Sequence, residues 1–96
     1  MTQETDRELL ELAAKAAAIE INWFKWERLT NQWNPLVDDG DAFRLADTLG
    51  LFVRFGEFGG IESPVTVEFD RQIPDRLAAT RRAILRAAAE IGKAMP

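Results

Sequence analysis

The residues best suited to chemistry are three aspartates around a glycine in the middle of the chain: Asp38, Asp39 and Asp41. Carboxylate oxygens are the ligands that Mg²⁺ and Ca²⁺ prefer, so this cluster could hold a divalent cation. Its spacing does not match the calcium-loop pattern, in which ligands alternate and a glutamate closes the loop. Aspartates are also favoured at helix starts, where they cap free backbone N–H groups. We therefore interpret the cluster first as a helix cap and second as a metal site.

Other catalytic side chains are scarce. The chain has no cysteine and no histidine, and its one serine is Ser63. The chain therefore cannot use thiolate chemistry, form disulfides or build a Ser-His-Asp arrangement. It also lacks histidine, the commonest transition-metal ligand. The absence of cysteine fits a reducing cytoplasm. We predict a protein that is not an enzyme and that uses no cofactor.

Length and charge narrow the class further. The 96 residues suffice for a single domain, 1–96, and the formal net charge is −4. An acidic balance argues weakly against nucleic acid as the main partner. No apolar run approaches the ~18 residues of a membrane span, and the polar, acidic N-terminus does not resemble a signal peptide. We expect a globular protein that does not bind a membrane.

Three tryptophans lie close together in the sequence, at Trp23, Trp26 and Trp33. If the strand-like pattern that begins at residue 19 continues through Trp26, alternation places Trp23 and Trp26 on opposite faces, which leaves at least one partly exposed. An exposed tryptophan is a plausible anchor for a protein partner. The alternative is that all three complete a small core, because the helices offer mainly alanine.

The C-terminal segment is basic. Its positive side chains are Arg76, Arg81, Arg82, Arg86 and Lys93. A basic helix can follow the phosphates of a nucleic acid. The alternative is a solvated helix face whose bases pair with acidic neighbours, and the acidic first helix is the available neighbour.

The first half of the chain contains two predicted helices and one predicted strand. Thr5 and Glu8 have capping-box spacing, and apolar residues then recur at helical spacing, which predicts a helix over 6–18. The alternation that follows favours a strand over 19–24, although a continuation of the helix through Trp26 also fits. Asp38 and Gly50 have the types that begin and end a helix, which predicts a second helix over 39–49.

The second half contains a predicted hairpin and a long helix. Alternating apolar residues predict strands over 51–55 and 65–69, joined by a Gly/Pro-rich loop over 56–64. An apolar stripe then predicts a helix over 74–94. The order α-β-α-β-β-α predicts an α+β fold, with helices on one face of a three-stranded, largely antiparallel sheet.

A distinctive motif occupies the middle of the chain: Trp33-Asn34-Pro35-Leu36, Asp38-Asp39-Gly40-Asp41-Ala42, Arg44-Leu45-Ala46 and Leu49-Gly50-Leu51. Together with the alanine-rich segments 8–17 and 78–92, it resembles a group of small proteins encoded by tailed phages and prophages of Gram-negative bacteria. The resemblance implies a phage origin and a cytoplasmic setting in a bacterial host. It implies no activity, because none is established for the group.

The sequence therefore predicts a non-enzymatic protein–protein interaction module whose partner is a host or phage protein, with the tryptophans as the contact surface. The first alternative is a nucleic-acid-binding accessory protein that uses the basic C-terminal helix. The second is an enzyme that uses a metal ion held by the central aspartates.

Overall fold

The computed structural model describes residues 5–28, 32–56 and 58–96. These residues form four helices and a three-stranded antiparallel sheet. The elements are α1 (Asp6–Ala16), α2 (Trp23–Trp26), α3 (Asp39–Leu49), β1 (Phe52–Arg54), β2 (Gly60–Ser63), β3 (Val67–Glu68) and α4 (Arg76–Ala94). The predicted α+β class and the three-stranded antiparallel sheet are confirmed.

Helix α1 begins where the sequence predicts and ends two residues earlier. The Thr5 side chain accepts a hydrogen bond from the Glu8 backbone N–H, and the Glu8 carboxylate accepts from the Thr5 backbone, which completes the capping box. Regular helix stops at Ala16, and Ala18 adopts a left-handed φ of 55°. This turn directs the chain out of the helix before the predicted end at residue 18.

The strand predicted over residues 19–24 is wrong. Ile19 and Ile21 are half-buried while Glu20 and Asn22 are exposed, so the alternation that suggested a strand is present, but this segment belongs to neither a strand nor the sheet. The Asn22 side chain then accepts a hydrogen bond from the Lys25 N–H and starts the single-turn helix α2. The rival prediction of one continuous helix is also wrong, because α1 ends at Ala16.

Helix α3 spans the predicted residues 39–49. The Asp38 side chain accepts from the Asp41 N–H at its start, and Gly50 ends it with a left-handed φ of 64°. That conformation costs glycine little and other residues more, which explains the residue type at this position.

The sheet contains a strand that the sequence did not predict. Strands β1 and β3 do not form a hairpin with each other, because β2 lies between them and pairs antiparallel with both. Two of the glycines that suggested a loop, Gly59 and Gly60, lie in this close pairing instead. A Cβ atom at Gly60 would lie 2.3 Å from the Val67 carbonyl oxygen, so no larger residue fits there without a shift.

Helix α4 is the centre of the fold. The predicted range 74–94 placed its start at Pro74, but the helix begins at Arg76, after its cap residue Asp75. It packs against α1 and α3 and lies on β2 and β3. The inner sheet face presents Val53, Ile61 and Val67 in adjacent strands. In α4 the fully buried side chains are small or aliphatic: Ile84, Leu85, Ala87, Ala88 and Ala89.

Candidate functional site

The three central aspartates all make contacts within the chain, and Asp38 and Asp41 share Arg44 as an ion-pair partner. One Asp38 oxygen accepts from the Asp41 N–H at 2.7 Å, which caps α3. The Asp41 carboxylate accepts from the Asn34 N–H at 2.9 Å and pairs with Arg44 at 2.8 Å. These contacts fix the chain segment before α3 to its first turn.

The third aspartate of the cluster points to another element. Asp39 pairs with Arg81 of α4 at 2.7 Å, away from the contacts of Asp38 and Asp41. Among the described residues, no group of three or more His, Cys, Asp or Glu side chains is arranged to hold a metal ion. The geometry therefore supports the helix-cap interpretation and gives no support to a metal site at Asp38, Asp39 and Asp41.

The three tryptophans are half-buried and pack against the core. The expectation that Trp23 and Trp26 lie on opposite faces is wrong, because their rings meet edge to face with centroids 5.5 Å apart. The Trp26 indole N–H donates to the Trp33 carbonyl at 2.7 Å. On the other side, the Arg7 guanidinium lies 4.7 Å from the Trp23 ring centroid. Each tryptophan thus has an internal role, which favours the core alternative.

The basic residues of α4 are divided between paired and unpaired side chains. Arg82 pairs with Asp6 of α1 at 2.8 Å, as the alternative interpretation predicted. Arg81 pairs with Asp39, and Lys93 pairs with Glu90 at 3.2 Å. Because these three side chains already contact carboxylates, the helix offers no unbroken positive face for phosphates.

The other two basic residues predicted on this helix, Arg76 and Arg86, are not paired with carboxylates in the described part of the chain. Arg86 is exposed although both its neighbours in α4, Leu85 and Ala87, are fully buried. Its guanidinium is therefore available to a ligand.

Sequence reasoning missed the most unusual surface of the molecule. Five of the six phenylalanines are at least half exposed, although a small domain normally uses such side chains in its core. These residues are Phe24 (65% exposed), Phe43 (50%), Phe52 (59%), Phe55 (58%) and Phe58 (66%). The core consists instead of alanine, leucine and isoleucine.

Three of these phenylalanines, Phe52, Phe55 and Phe58, lie close together in sequence at β1 and the turn after it, and we call them the phenylalanine corner. The Arg71 guanidinium lies 4.8 Å from the Phe58 ring centroid, and Arg54 donates to the Phe58 carbonyl at 3.2 Å. The two arginines thus hold this segment against the sheet. The sequence predicted a strand over 51–55, but β1 ends at Arg54 and Phe55 is exposed.

No known protein family, curated protein or solved structure matches the chain. The resemblance to phage and prophage proteins therefore stays a prediction. Within the residues that the structure describes, none of the helices has the length and apolar character needed to cross a membrane.

Proposed function

We propose that the chain is a small non-enzymatic protein–protein interaction module that docks through the phenylalanine corner. The observation that carries the proposal is the exposure of Phe52, Phe55 and Phe58, each by more than half. The setting that we propose is the cytoplasm of a bacterial host, and the support for it is the resemblance to phage and prophage proteins.

Exposed aromatic side chains favour binding to another protein because water leaves both surfaces when they meet. Burying one phenylalanine side chain contributes about 1.5–3 kcal/mol relative to leaving it in water. Aromatic residues are accordingly enriched at the centres of protein interfaces. Arg54 donates to the Phe58 carbonyl and Arg71 lies over the Phe58 ring, so both restrain Phe58, which reduces the cost of ordering it on binding.

This proposal moves the contact surface away from the tryptophans. Trp23, Trp26 and Trp33 contact one another, Arg7 and the core, so a partner would find only part of each ring. Phe24, which lies between two of them in the sequence, is 65% exposed and has the Arg28 guanidinium 4.1 Å from its ring centroid. It is a second, smaller candidate for contact with a partner.

The experiment is affinity capture from a nuclease-treated host lysate with two variants. The test variant carries Phe52→Ser and Phe55→Ser. The control carries Val37→Ser, because Val37 is 72% exposed and apolar but lies in a different part of the chain. We expect a partner that the wild type and the control retain and that the test variant loses, with all three proteins equally folded by circular dichroism.

Two results would contradict the proposal. If the test variant retains every partner of the wild type, the phenylalanine corner is not the contact surface. If a partner is retained only from lysate without nuclease treatment and its retention falls steeply with salt, the nucleic-acid alternative replaces the interaction module. A partner lost equally by the test and control variants would point to non-specific apolar adhesion.

A further inference from the structure

We propose that the free edge of β3 binds an extended peptide segment of the partner, which adds as a fourth strand and places a carboxylate against Arg86. This inference rests on the proposed interaction function and names the form that the partner takes. It concerns the groove between β3 and α4, which lies on a different side of the sheet from the outward-facing Phe52.

The first argument is the direction of the backbone groups of β3. The Phe69 N–H donates to the Gly59 carbonyl, so residues 59 and 69 form a hydrogen-bonded pair. Hydrogen-bonded and non-hydrogen-bonded pairs alternate along an antiparallel ladder, so the next pair, Gly60 and Glu68, is a non-hydrogen-bonded pair. The N–H and C=O of Glu68 therefore point away from β2. Because β3 is an edge strand, these groups face outward and are available to another extended chain.

The second argument is the groove beside this edge. It has a volume of about 650 Å³ and is lined by residues 65–71 of the chain around β3 together with Arg86 and Glu90 of α4. Val65 and Phe69 are half-buried and belong to the inward-facing side of β3. A strand added to the edge would direct alternate side chains over these apolar residues and the others toward solvent.

The third argument is charge. Arg86 lines the groove and has no ion-pair partner among the residues that the structure describes. The acids that line the groove are Glu68, whose side chain is on the outer face with that of Arg54, Asp70, which accepts from the Gln72 backbone N–H, and Glu90, which already pairs with Lys93. Arg71 also lines the groove, and its guanidinium lies over the Phe58 ring. A peptide carboxylate would therefore find one uncompensated guanidinium at the α4 wall, and such pairs form strong charge-assisted hydrogen bonds.

A nucleic acid and a second copy of the chain fit this groove less well. The groove has two guanidinium groups, Arg71 and Arg86, against the three carboxylates of Glu68, Asp70 and Glu90, so a run of successive phosphates would meet net repulsion, whereas a single peptide carboxylate needs only the Arg86 guanidinium. A second copy of the chain could pair its β3 with this edge. If the outward backbone groups of the two Glu68 residues paired, the two Glu68 side chains would lie opposite each other, and like charges in that position are destabilising.

The test is a nuclear magnetic resonance titration of the isotope-labelled full chain with a synthetic acetylated octapeptide of alternating threonine and valine that ends in a free aspartate. The matched control peptide has the same sequence with alternate backbone nitrogens methylated, so that it cannot donate the strand hydrogen bonds. We expect saturable shifts confined to residues 65–70 and Arg86 with the first peptide and none with the second.

Two protein variants measure how much the Arg86 charge contributes to binding of the octapeptide, apart from the backbone hydrogen bonds. Arg86→Gln should weaken binding of the octapeptide about tenfold, because it removes the guanidinium that faces the carboxylate. Arg76→Gln is the control, because Arg76 also lacks an ion-pair partner among the described residues but lines a neighbouring hollow. Its affinity for the octapeptide should match that of the wild type.

The inference is overturned if the methylated peptide binds as well as the first, if the shifts lie elsewhere, or if no binding occurs at millimolar peptide. It is also overturned if Arg86→Gln and Arg76→Gln change the affinity for the octapeptide equally. Protection of the Glu68 amide from hydrogen exchange that increases with protein concentration would overturn it too, because a second copy of the chain would then be the occupant. If the peptide does not bind β3 but capture of a partner still depends on Phe52 and Phe55, the proposed interaction function stands and only the strand-addition inference fails.

Discussion

Gly92 of α4 lies so close to Leu12 of α1 that a Cβ atom at position 92 would stand 2.1 Å from the Leu12 carbonyl oxygen. The contacting atoms belong to the backbone, so they cannot move aside as a flexible side chain would. Small residues on both helices accompany this contact, with Ala13 of α1 and Ala88 and Ala89 of α4 fully buried. The two helices therefore meet through their backbones, and this contact requires a glycine at position 92.

We predict that Gly92→Ala destabilises the protein. Alanine in place of glycine normally stabilises a helix interior by about 0.5–1 kcal/mol. Here the new methyl group must force α1 and α4 apart, so we expect a loss of about 1–3 kcal/mol in the free energy of unfolding, as measured by urea denaturation.

Gly40→Ala is the matched control, because a Cβ at Gly40 meets only the ends of the Arg44 and Asp38 side chains, at 3.2 Å. We expect a change within about 1 kcal/mol for this variant, with no loss of helical signal. Equal destabilisation by the two substitutions would show that the α1–α4 contact does not depend on Gly92.

We predict that Arg81 contributes more to stability than its neighbour Arg82. The Arg81 guanidinium donates to the Leu36 carbonyl at 2.8 Å and pairs with Asp39 at 2.7 Å, and its side chain is only 18% exposed. Arg81→Ala leaves that carbonyl without its donor, so we expect a loss of about 1–3 kcal/mol.

Arg82→Ala serves as the comparison for Arg81→Ala. It removes one ion pair, to the exposed Asp6, and such pairs contribute about 0–1 kcal/mol. Thermal and urea unfolding at low and high salt provide the measurement. The Arg82 variant should approach the wild type at high salt, whereas the Arg81 variant should not. The reverse order of stabilities would contradict this assignment.

We predict that the central aspartates act as a cap and do not bind metal. Asp38→Ala should lower the free energy of unfolding by about 1 kcal/mol, because it removes the acceptor for the Asp41 N–H. Asp47→Ala is the control near the other end of α3, where loss of a negative charge should be neutral or slightly stabilising.

Millimolar Mg²⁺ or Ca²⁺ provides the second measurement on the aspartates. We expect the melting temperature to change no more than it does in sodium chloride of equal ionic strength, because Asp38 and Asp41 already contact backbone N–H groups and Arg44, and Asp39 pairs with Arg81. A larger shift that Asp38→Ala abolishes would restore the metal-site alternative.

The local features of the fold were predictable because their causes lie within a few residues. The Thr5 capping box, the Asp38 cap and the left-handed Gly50 depend on residue type and spacing alone, and all three are present as expected. Alternation at residues 19–24 was misleading, because a chain that lies along a core buries alternate residues whether or not another strand pairs with it.

The surface features were not predictable, because they depend on what other elements cover. Periodicity assigns Phe52 to one face of β1 and Val53 to the other, but it cannot show which of the two faces other elements cover. Likewise, the composition around Gly60 is typical of a loop, and only the tight pairing with β3 explains why a strand needs glycine there.

The hydrogen bond from Trp26 to Trp33 gives a prediction about the role of the tryptophans. Trp26→Phe keeps an aromatic ring against Trp23 but removes the indole N–H that donates to the Trp33 carbonyl at 2.7 Å. Because this carbonyl is partly buried, we expect a loss of about 1–3 kcal/mol in the free energy of unfolding, followed by far-ultraviolet circular dichroism.

Trp23→Phe is the control for Trp26→Phe, because Trp23 contacts the Arg7 guanidinium through its ring face and phenylalanine preserves part of that attraction. We expect this variant to lose only about 0.5–1 kcal/mol. If the two tryptophans are structural, neither substitution should change capture of a partner, whereas Phe52→Ser with Phe55→Ser should abolish it. Loss of capture by Trp26→Phe in a folded protein would return the contact surface to the tryptophans.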